Sequence, residues 1–129
     1  MPNDTYLNGG LNSHVADMMK RQHEEQEEIY NDRNPVINIC NSLKNYILDF
    51  ERDLDQEHEV GVRLASFGNA LTFHAQQIGF SKPNLITFYG VTEQGDKIQL
   101  IQHVSQLNFL LKAVNKIEEN PVRIGFIWD

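Results

Sequence analysis

The sequence predicts a two-layer α+β fold, in which helices cover one face of an antiparallel sheet of about five strands. Three observations support this class. An apolar stripe of helical period follows Asn34, apolar runs of strand length fill most of the chain after residue 59, and short polar turns separate those runs. The prediction places a long helix before the sheet and a second helix before the last strand. With 129 residues, the chain can form one hydrophobic core.

Asn34 and Pro35 mark the start of the most regular predicted helix. Asparagine is a favoured N-cap, and proline fits the first helical position because its missing N–H needs no partner there. The apolar stripe consists of Val36, Ile39, Cys40, Leu43, Ile47, Phe50 and Leu54. We therefore predict a helix over residues 35–55, whose other face carries an acidic, solvated run.

The segment before that helix, residues 1–33, is acidic and shows no sustained apolar period. Its composition is typical of a flexible arm, with transient helix between Asn12 and Tyr30. The alternative is a helix that becomes ordered only against a partner subunit. The predicted organisation is thus an arm at 1–33 and a single α+β ligand-binding domain at 34–129.

Five strands are predicted from short runs that are alternating or apolar throughout. They lie at residues 60–67, 71–80, 85–91, 97–103 and 122–128. The third and fourth runs flank a short polar loop that contains Gly95, which is a hairpin signal. Gly68-Asn69 and the Ser81–Asn84 segment supply the other turns.

The segment after His103 is predicted to be the second helix. Its apolar residues recur at the spacing of one helix face: Leu107, Leu110, Leu111 and Val114. Ser105 stands where an N-cap is expected, and Asn120-Pro121 ends the element.

The charge balance limits the classes of partner. The formal net charge is −7, so the overall field opposes binding to duplex nucleic acid and to anionic membranes, although local donors can still hold a small anion. Cys40 is the only cysteine, which is typical of a reducing compartment. No apolar run reaches the length of a transmembrane helix, and the N-terminus has no apolar signal core. We therefore expect a cytoplasmic protein.

No complete catalytic motif is present, and the sequence indicates neither an enzyme nor a cofactor. A zinc protease motif would need a second histidine after His58-Glu59, which is absent. Cys40 lies on the apolar stripe and is expected in the core. His103-Val-Ser105 resembles half of the paired motif of two-histidine phosphoesterases, but His74 is followed by Ala-Gln and gives no second copy.

The candidate binding residues are polar groups around the predicted strand-to-helix junction and two arginines. The junction residues are Gln99, Gln102, His103, Gln106 and Asn108, beside free amides at a predicted helix N-terminus. Arg63 and Arg123 could clamp a phosphate or could be plain solvated charges.

Phe88 and Tyr89 are neighbours on a predicted strand, so one side chain points inward and the other outward. The inward ring belongs to the core. The outward ring could stack on a base, with plain cross-strand packing as the alternative.

Nine short segments between Asn34 and Phe126 together resemble a known family. They are Asn34-Pro35, Phe50-Glu51, Glu57-His-Glu-Val-Gly61, Arg63-Leu64, Ser66-Phe67-Gly68, Phe88-Tyr-Gly90, Gln99-Leu-Ile-Gln-His103, Ser105-Gln-Leu107 and Arg123-Ile-Gly-Phe126. This set resembles a family of small bacterial and prophage proteins of formerly unknown function, and that family is identified with the phage Thoeris anti-defence proteins of the first type. The resemblance implies a molecular sponge that binds cyclic ADP-ribose isomers without cleaving them.

The same resemblance implies assembly from dimers into hexamers, with cyclic oligonucleotides held by some members at a separate interface. Arg63 and Phe88 are the best match to a phosphate-and-base pair. The acidic arm departs from a minimal member of that family, and its role stays open.

Three hypotheses follow. The first is a non-enzymatic, homo-oligomeric binder of a cyclic nucleotide signal, of phage or prophage origin. The second is a small phosphoester hydrolase with His103 or His74 as its base. The third is a protein–protein interaction module that uses the acidic arm. Retention of intact ligand distinguishes the first from the second, and failure to bind any small molecule would favour the third.

Overall fold

The structure is a computed structural model that describes the backbone of residues 2–67 and 69–128 and the side chains of residues 13–64 and 70–128. The chain divides into two compact units, one ending at Arg33 and one beginning at Asn34. The first unit is a single helix, α1, Pro2–Arg33. Helix was predicted only between Asn12 and Tyr30, so the observed helix is longer than expected. The side chains of residues 13–30 are all exposed.

The second unit starts with α2, Pro35–Arg52, which confirms the most regular predicted helix to within three residues. The Val36 N–H donates to the Pro83 carbonyl at 3.1 Å, which fixes the start of α2 to the turn before a later strand. Val36, Cys40 and Ile47 are fully buried on its inner face. Burial raises the pKa of the Cys40 thiol to about 11, so this cysteine is an inert core residue, as the sequence indicated.

The sheet confirms the predicted α+β class. Its strands are β1, His58–Phe67; β2, Asn69–Ser81; β3, Leu85–Val91; β4, Lys97–His103; β5, Phe109–Asn115; and β6, Gly125–Phe126. The order is β4-β3-β2-β1-β5, and all neighbours on this path are antiparallel. The short β6 pairs in parallel with the second half of β2.

Helix α2 and one face of the sheet enclose the core. Side chains from three adjacent strands fill it: Val60, Val62, Leu64, Phe73, Ile86 and Phe88. Because strand side chains alternate between faces, Glu59, Gly61 and Arg63 of β1 lie on the opposite, outer face. Polar residues of β2 and β5 face the same side, so any polar site of this unit is expected there.

The segment after His103 was predicted to be a helix, and only its first turn is helical. His103 is followed by a short 3₁₀ helix, η1, Val104–Gln106, and then by strand β5. Leu107, Phe109 and Leu111 also alternate, and all three pack against the core. The predicted last strand is reduced to Gly125–Phe126, because residues 116–124 cross the end of the sheet instead of pairing along it.

Glu51 anchors that crossing segment. Its carboxylate is buried and accepts the Ile124 N–H at 2.8 Å. Burial raises the pKa of Glu51, while the bond from Ile124 and the charge of Arg123 lower it less strongly. Since the folded-state pKa exceeds the unfolded value, this group favours folding at low pH, and that contribution is lost as pH rises through the folded-state pKa.

We predict that Glu51→Gln is at least as stable as wild type at neutral pH, because the amide oxygen still accepts from Ile124 and no buried charge remains. Glu51→Ala should cost about 1–3 kcal/mol, because it leaves the buried N–H without its acceptor. Urea unfolding of both variants between about pH 4 and about pH 7 measures this. A stability difference between wild type and Glu51→Gln that does not change with pH would contradict the role of the charge.

Candidate functional site

A polar concavity lies on the outer face, where β5, β1 and β2 run side by side. Its volume is about 370 Å³, and it is lined by Thr72, His74, Glu93, Lys112, Ala113, Val114 and Asn115. Gly61 lies opposite both His74 and Lys112 in the register. A Cβ at Gly61 would lie 2.6 Å from Val114 Cγ1, so the glycine allows the Val114 side chain to pack directly against β1. The absence of a side chain at Gly61 therefore helps to form the dent between the two neighbouring strands.

His74 and Glu59 form a buried pair beside this concavity. His74 Nδ1 lies 2.7 Å from Glu59 Oε2, and their side chains are 6% and 4% exposed. The other carboxylate oxygen, Oε1, accepts the Val122 N–H at 3.0 Å. Both carboxylate oxygens are thus occupied, which fixes the orientation of the imidazole. Within the described part of the chain, the second ring nitrogen, Nε2, has no hydrogen-bond partner.

Two cations lie near this concavity on the outer face, and one of them, Lys112, is part of its lining. The other, Arg63, lies two residues from Gly61, opposite Thr72 and Leu110. Diagonal neighbours of this kind lie about 7–8 Å apart, within reach of long side chains. Neither cation has a hydrogen bond or ion pair to any residue that the structure describes. We name Arg63, Thr72, His74 and Lys112 the outer-face site.

The turn between β3 and β4 forms the rim of the site. It contributes Glu93 to the concavity, and its form depends on Gly95, whose φ of 90° is a conformation that residues with side chains rarely adopt. A smaller concavity of about 170 Å³ lies on the far side of the His74–Glu59 pair and is lined by Glu59, Gln76 and Val122, among others. The pair therefore lies between two surface depressions, with His74 lining the larger and Glu59 the smaller.

Two of the predicted binding residues are buried. Phe88 is 0% exposed and packs edge-to-face against Phe73 and Phe109, so the proposal that it stacks on a ligand base is wrong. Gln102 is 7% exposed, and its Oε1 atom has no hydrogen-bond partner among the described residues. Neither side chain is available to a ligand on the outer face.

The predicted residues around the end of β4 serve the backbone. His103 Nδ1 accepts the Ser105 N–H at 3.1 Å, and Gln106 Oε1 accepts the His103 N–H at 2.9 Å. His103, not Ser105, is thus the N-cap of η1. Asn108 is exposed just before β5. These polar groups were predicted to flank a long helix, and the structure has only one 3₁₀ turn there.

The remaining predicted residues are dispersed. Tyr89 and Gln99 lie directly opposite one another on β3 and β4, and Tyr89 is the outward ring of its pair. Arg123 donates to the carbonyls of His58 and Asp55 at 2.8 and 3.0 Å, which makes it a structural clamp on the crossing segment. Of the nine predicted residues, only Arg63 belongs to the outer-face site.

A third concavity, of about 390 Å³, lies between α2 and the start of β5. Ile39, Leu43, Tyr46, Leu107 and Phe109 make most of its lining, with Asn38 and Ser42 beside them. Among the described residues, the lining contains neither a charged side chain nor an imidazole. The outer-face site is therefore the candidate for ligand chemistry.

The described residues contain neither a candidate membrane-spanning helix nor a candidate metal cluster. None of the helices there is both long and apolar enough to cross a bilayer. The same residues contain no cluster of three or more His, Cys, Asp or Glu side chains that could hold a metal ion.

Comparison with known proteins gives one match. A family model described as "Family of unknown function (DUF6173)" matches residues 28–127. No curated protein and no solved structure matches the chain significantly. The matched range contains every residue of the outer-face site and of the His74–Glu59 pair, and it leaves out most of α1.

Proposed function

We propose a ligand-binding role for this chain, which belongs to this family of unknown function. It binds a small phosphorylated ligand at the outer-face site and holds it without cleaving it. The observation that supports this proposal is the placement of Arg63 and Lys112, both without partners among the described residues, around the dent at Gly61. An arginine fork suits phosphate oxygens, and the concavity has the volume of a small-ligand site.

We further propose which ligand is bound and in which cell the protein acts. The family resemblance of the sequence implies cyclic ADP-ribose isomers, so these are the ligands to test first, with cyclic oligonucleotides after them. The protein would act as a phage or prophage anti-defence sponge in the cytoplasm of the bacterial host, as a dimer or hexamer. The net charge of −7 does not oppose this, because local donors decide the binding of a small anion.

A phosphoester hydrolase is the second candidate, and the His74–Glu59 pair favours it. A buried carboxylate that holds Nδ1 and leaves Nε2 free toward a polar concavity is the arrangement that general bases use. In this alternative, Nε2 would take a proton from a water whose oxygen bonds to the phosphorus of a phosphoester held by Arg63 and Lys112. The bond from phosphorus to the ester oxygen would break, and His74 would return the proton to the departing alkoxide. His103, the other base considered from the sequence, is occupied as a cap.

The first experiment is a capture assay with the full chain. The purified protein is incubated with the products of a TIR-domain enzyme, filtered and denatured by heat, and the released compounds are identified by mass spectrometry. We expect intact cyclic nucleotide in the released fraction. Recovery of hydrolysed ligand would favour the hydrolase. Nucleotide left unchanged in the filtrate would contradict both and favour a protein–protein interaction module.

A further inference from the structure

The hydrogen bonds of Glu59 determine which nitrogen of His74 carries the proton. Glu59 Oε1 accepts a backbone N–H from Val122, and Oε2 faces His74 Nδ1 at 2.7 Å. An ionised carboxylate only accepts hydrogen bonds, so Nδ1 must carry the hydrogen of this pair. In the neutral imidazole, Nε2 is then a bare lone pair that faces the concavity.

A bare Nε2 cannot contact a fully ionised phosphoryl or sulfuryl oxygen favourably, because both atoms are hydrogen-bond acceptors. Only the imidazolium form presents an Nε2–H donor on this side. We infer that anion binding at the outer-face site is coupled to uptake of one proton by His74, and that Glu59 is the positioning residue that imposes this coupling. This inference rests on the proposed function, since it concerns the same site.

The charged groups that face His74 agree with such a coupling. Glu59 on β1 stabilises the imidazolium through Nδ1, and Glu93 in the β3–β4 turn lies on the same rim. Lys112 on β5 and Arg63 on β1 oppose a third positive charge while the site is empty. A bound anion removes that opposition, so the proton and the anion favour each other's binding.

The Glu59→Gln variant distinguishes this role from a purely structural one. Its amide oxygen can still accept from Val122, which leaves the NH₂ group to donate to His74 Nδ1. Nδ1 then becomes an acceptor, and the neutral ring carries its hydrogen on Nε2. The variant should therefore bind an anion without taking up a proton.

Sulfate is the probe, because it has no titratable proton near neutral pH. Isothermal titration of the full chain in two buffers of different ionisation enthalpy measures proton uptake directly. For wild type, we expect uptake of up to about one proton per sulfate and a Kd that rises with pH by up to about tenfold per pH unit. Glu59→Gln should show a nearly constant Kd and no uptake. His23→Gln on α1 is the control and should behave as wild type.

Imidazole ¹⁵N chemical shifts of the ligand-free wild type test the same inference without any variant. The neutral ring should be in the Nδ1–H form. An Nε2–H form, or sulfate binding without proton uptake, would overturn the coupling and leave the proposed binding function in place. Failure of both sulfate and nucleotides to bind at any pH would overturn the proposed function together with the coupling.

Discussion

Replacing Gly90 with alanine should remove most of the stability of the second unit. An added Cβ would clash with the His74 carbonyl oxygen and would lie 2.9 Å from Phe73 Cδ2. The carbonyl belongs to the β2 backbone, where His74 pairs with Val91 and Ala75 with Gly90 beside a register shift between Ala75 and Gln77, so moving it would disrupt this end of the β2–β3 ladder. We expect a loss of at least about 3 kcal/mol in the free energy of unfolding, measured by urea denaturation.

Gly125→Ala is the matched control. A Cβ there would meet Gln77 Cγ at 3.7 Å, which is an ordinary van der Waals contact, and its backbone needs no positive φ. Its free energy of unfolding should stay within about 0.5 kcal/mol of wild type. Equal stability of the Gly90 and Gly125 variants would mean that β2 and β3 pair in a different register, and His74 would then no longer be placed by this sheet.

The sequence was sufficient for α2 and for the first four strands, because each carries one clear period. The stripe from Val36 to Leu54 has only a helical interpretation, and the hairpin around Gly95 is set by its turn. The segment from Leu107 to Val114 fits two periods. Leu107, Leu110, Leu111 and Val114 match a helix face, but Leu107, Phe109 and Leu111 also alternate. This segment forms a strand because β5 pairs with β1 at seven positions, and such long-range pairing cannot be inferred from the local sequence.

The outer-face site could be predicted only in part, because it depends on register. Arg63 was identified by residue type, and His74 entered only as an alternative base. Glu59 and Lys112 were missed. The predicted turn at Gly68-Asn69 would have placed Gly61 close to His74 if the hairpin had been counted out residue by residue. Lys112 had no such signal, since its strand was expected to be a helix.

Phe88 and Tyr89 show that the inward–outward alternation of a strand determines which side chain can contact a ligand. The sequence left open which ring points outward, and the match to a ligand-stacking residue fell on Phe88. The structure buries Phe88 completely and leaves Tyr89 half-buried on the outer face. Phe88→Ala should therefore report on the core, at about 3–5 kcal/mol of stability, and not on ligand affinity alone.

The largest functional effect is expected from the double variant Arg63→Ala/Lys112→Ala. Hydrogen bonds to charged groups contribute about 1.5–3 kcal/mol each, so the two losses together should weaken ligand binding by at least about a hundredfold. Both side chains are exposed and without partners among the described residues, so stability should change by no more than about 0.5 kcal/mol. Calorimetric Kd values for sulfate and for cyclic ADP-ribose, beside urea unfolding, measure the two quantities.

Lys97→Ala provides the control for net charge. Lys97 is exposed on the outer face too, but it belongs to β4 and lies opposite Val91, beyond His74 in the same cross-strand row. Removing its charge alters the overall field as much as removing either site cation, while the outer-face site stays intact. If Lys97→Ala weakened binding as much as Arg63→Ala, attraction would come from the field of the whole surface. If only the variants at Arg63 and Lys112 lost affinity, the two side chains would have to contact the anion directly. The four outer-face residues would then act as one site around Gly61.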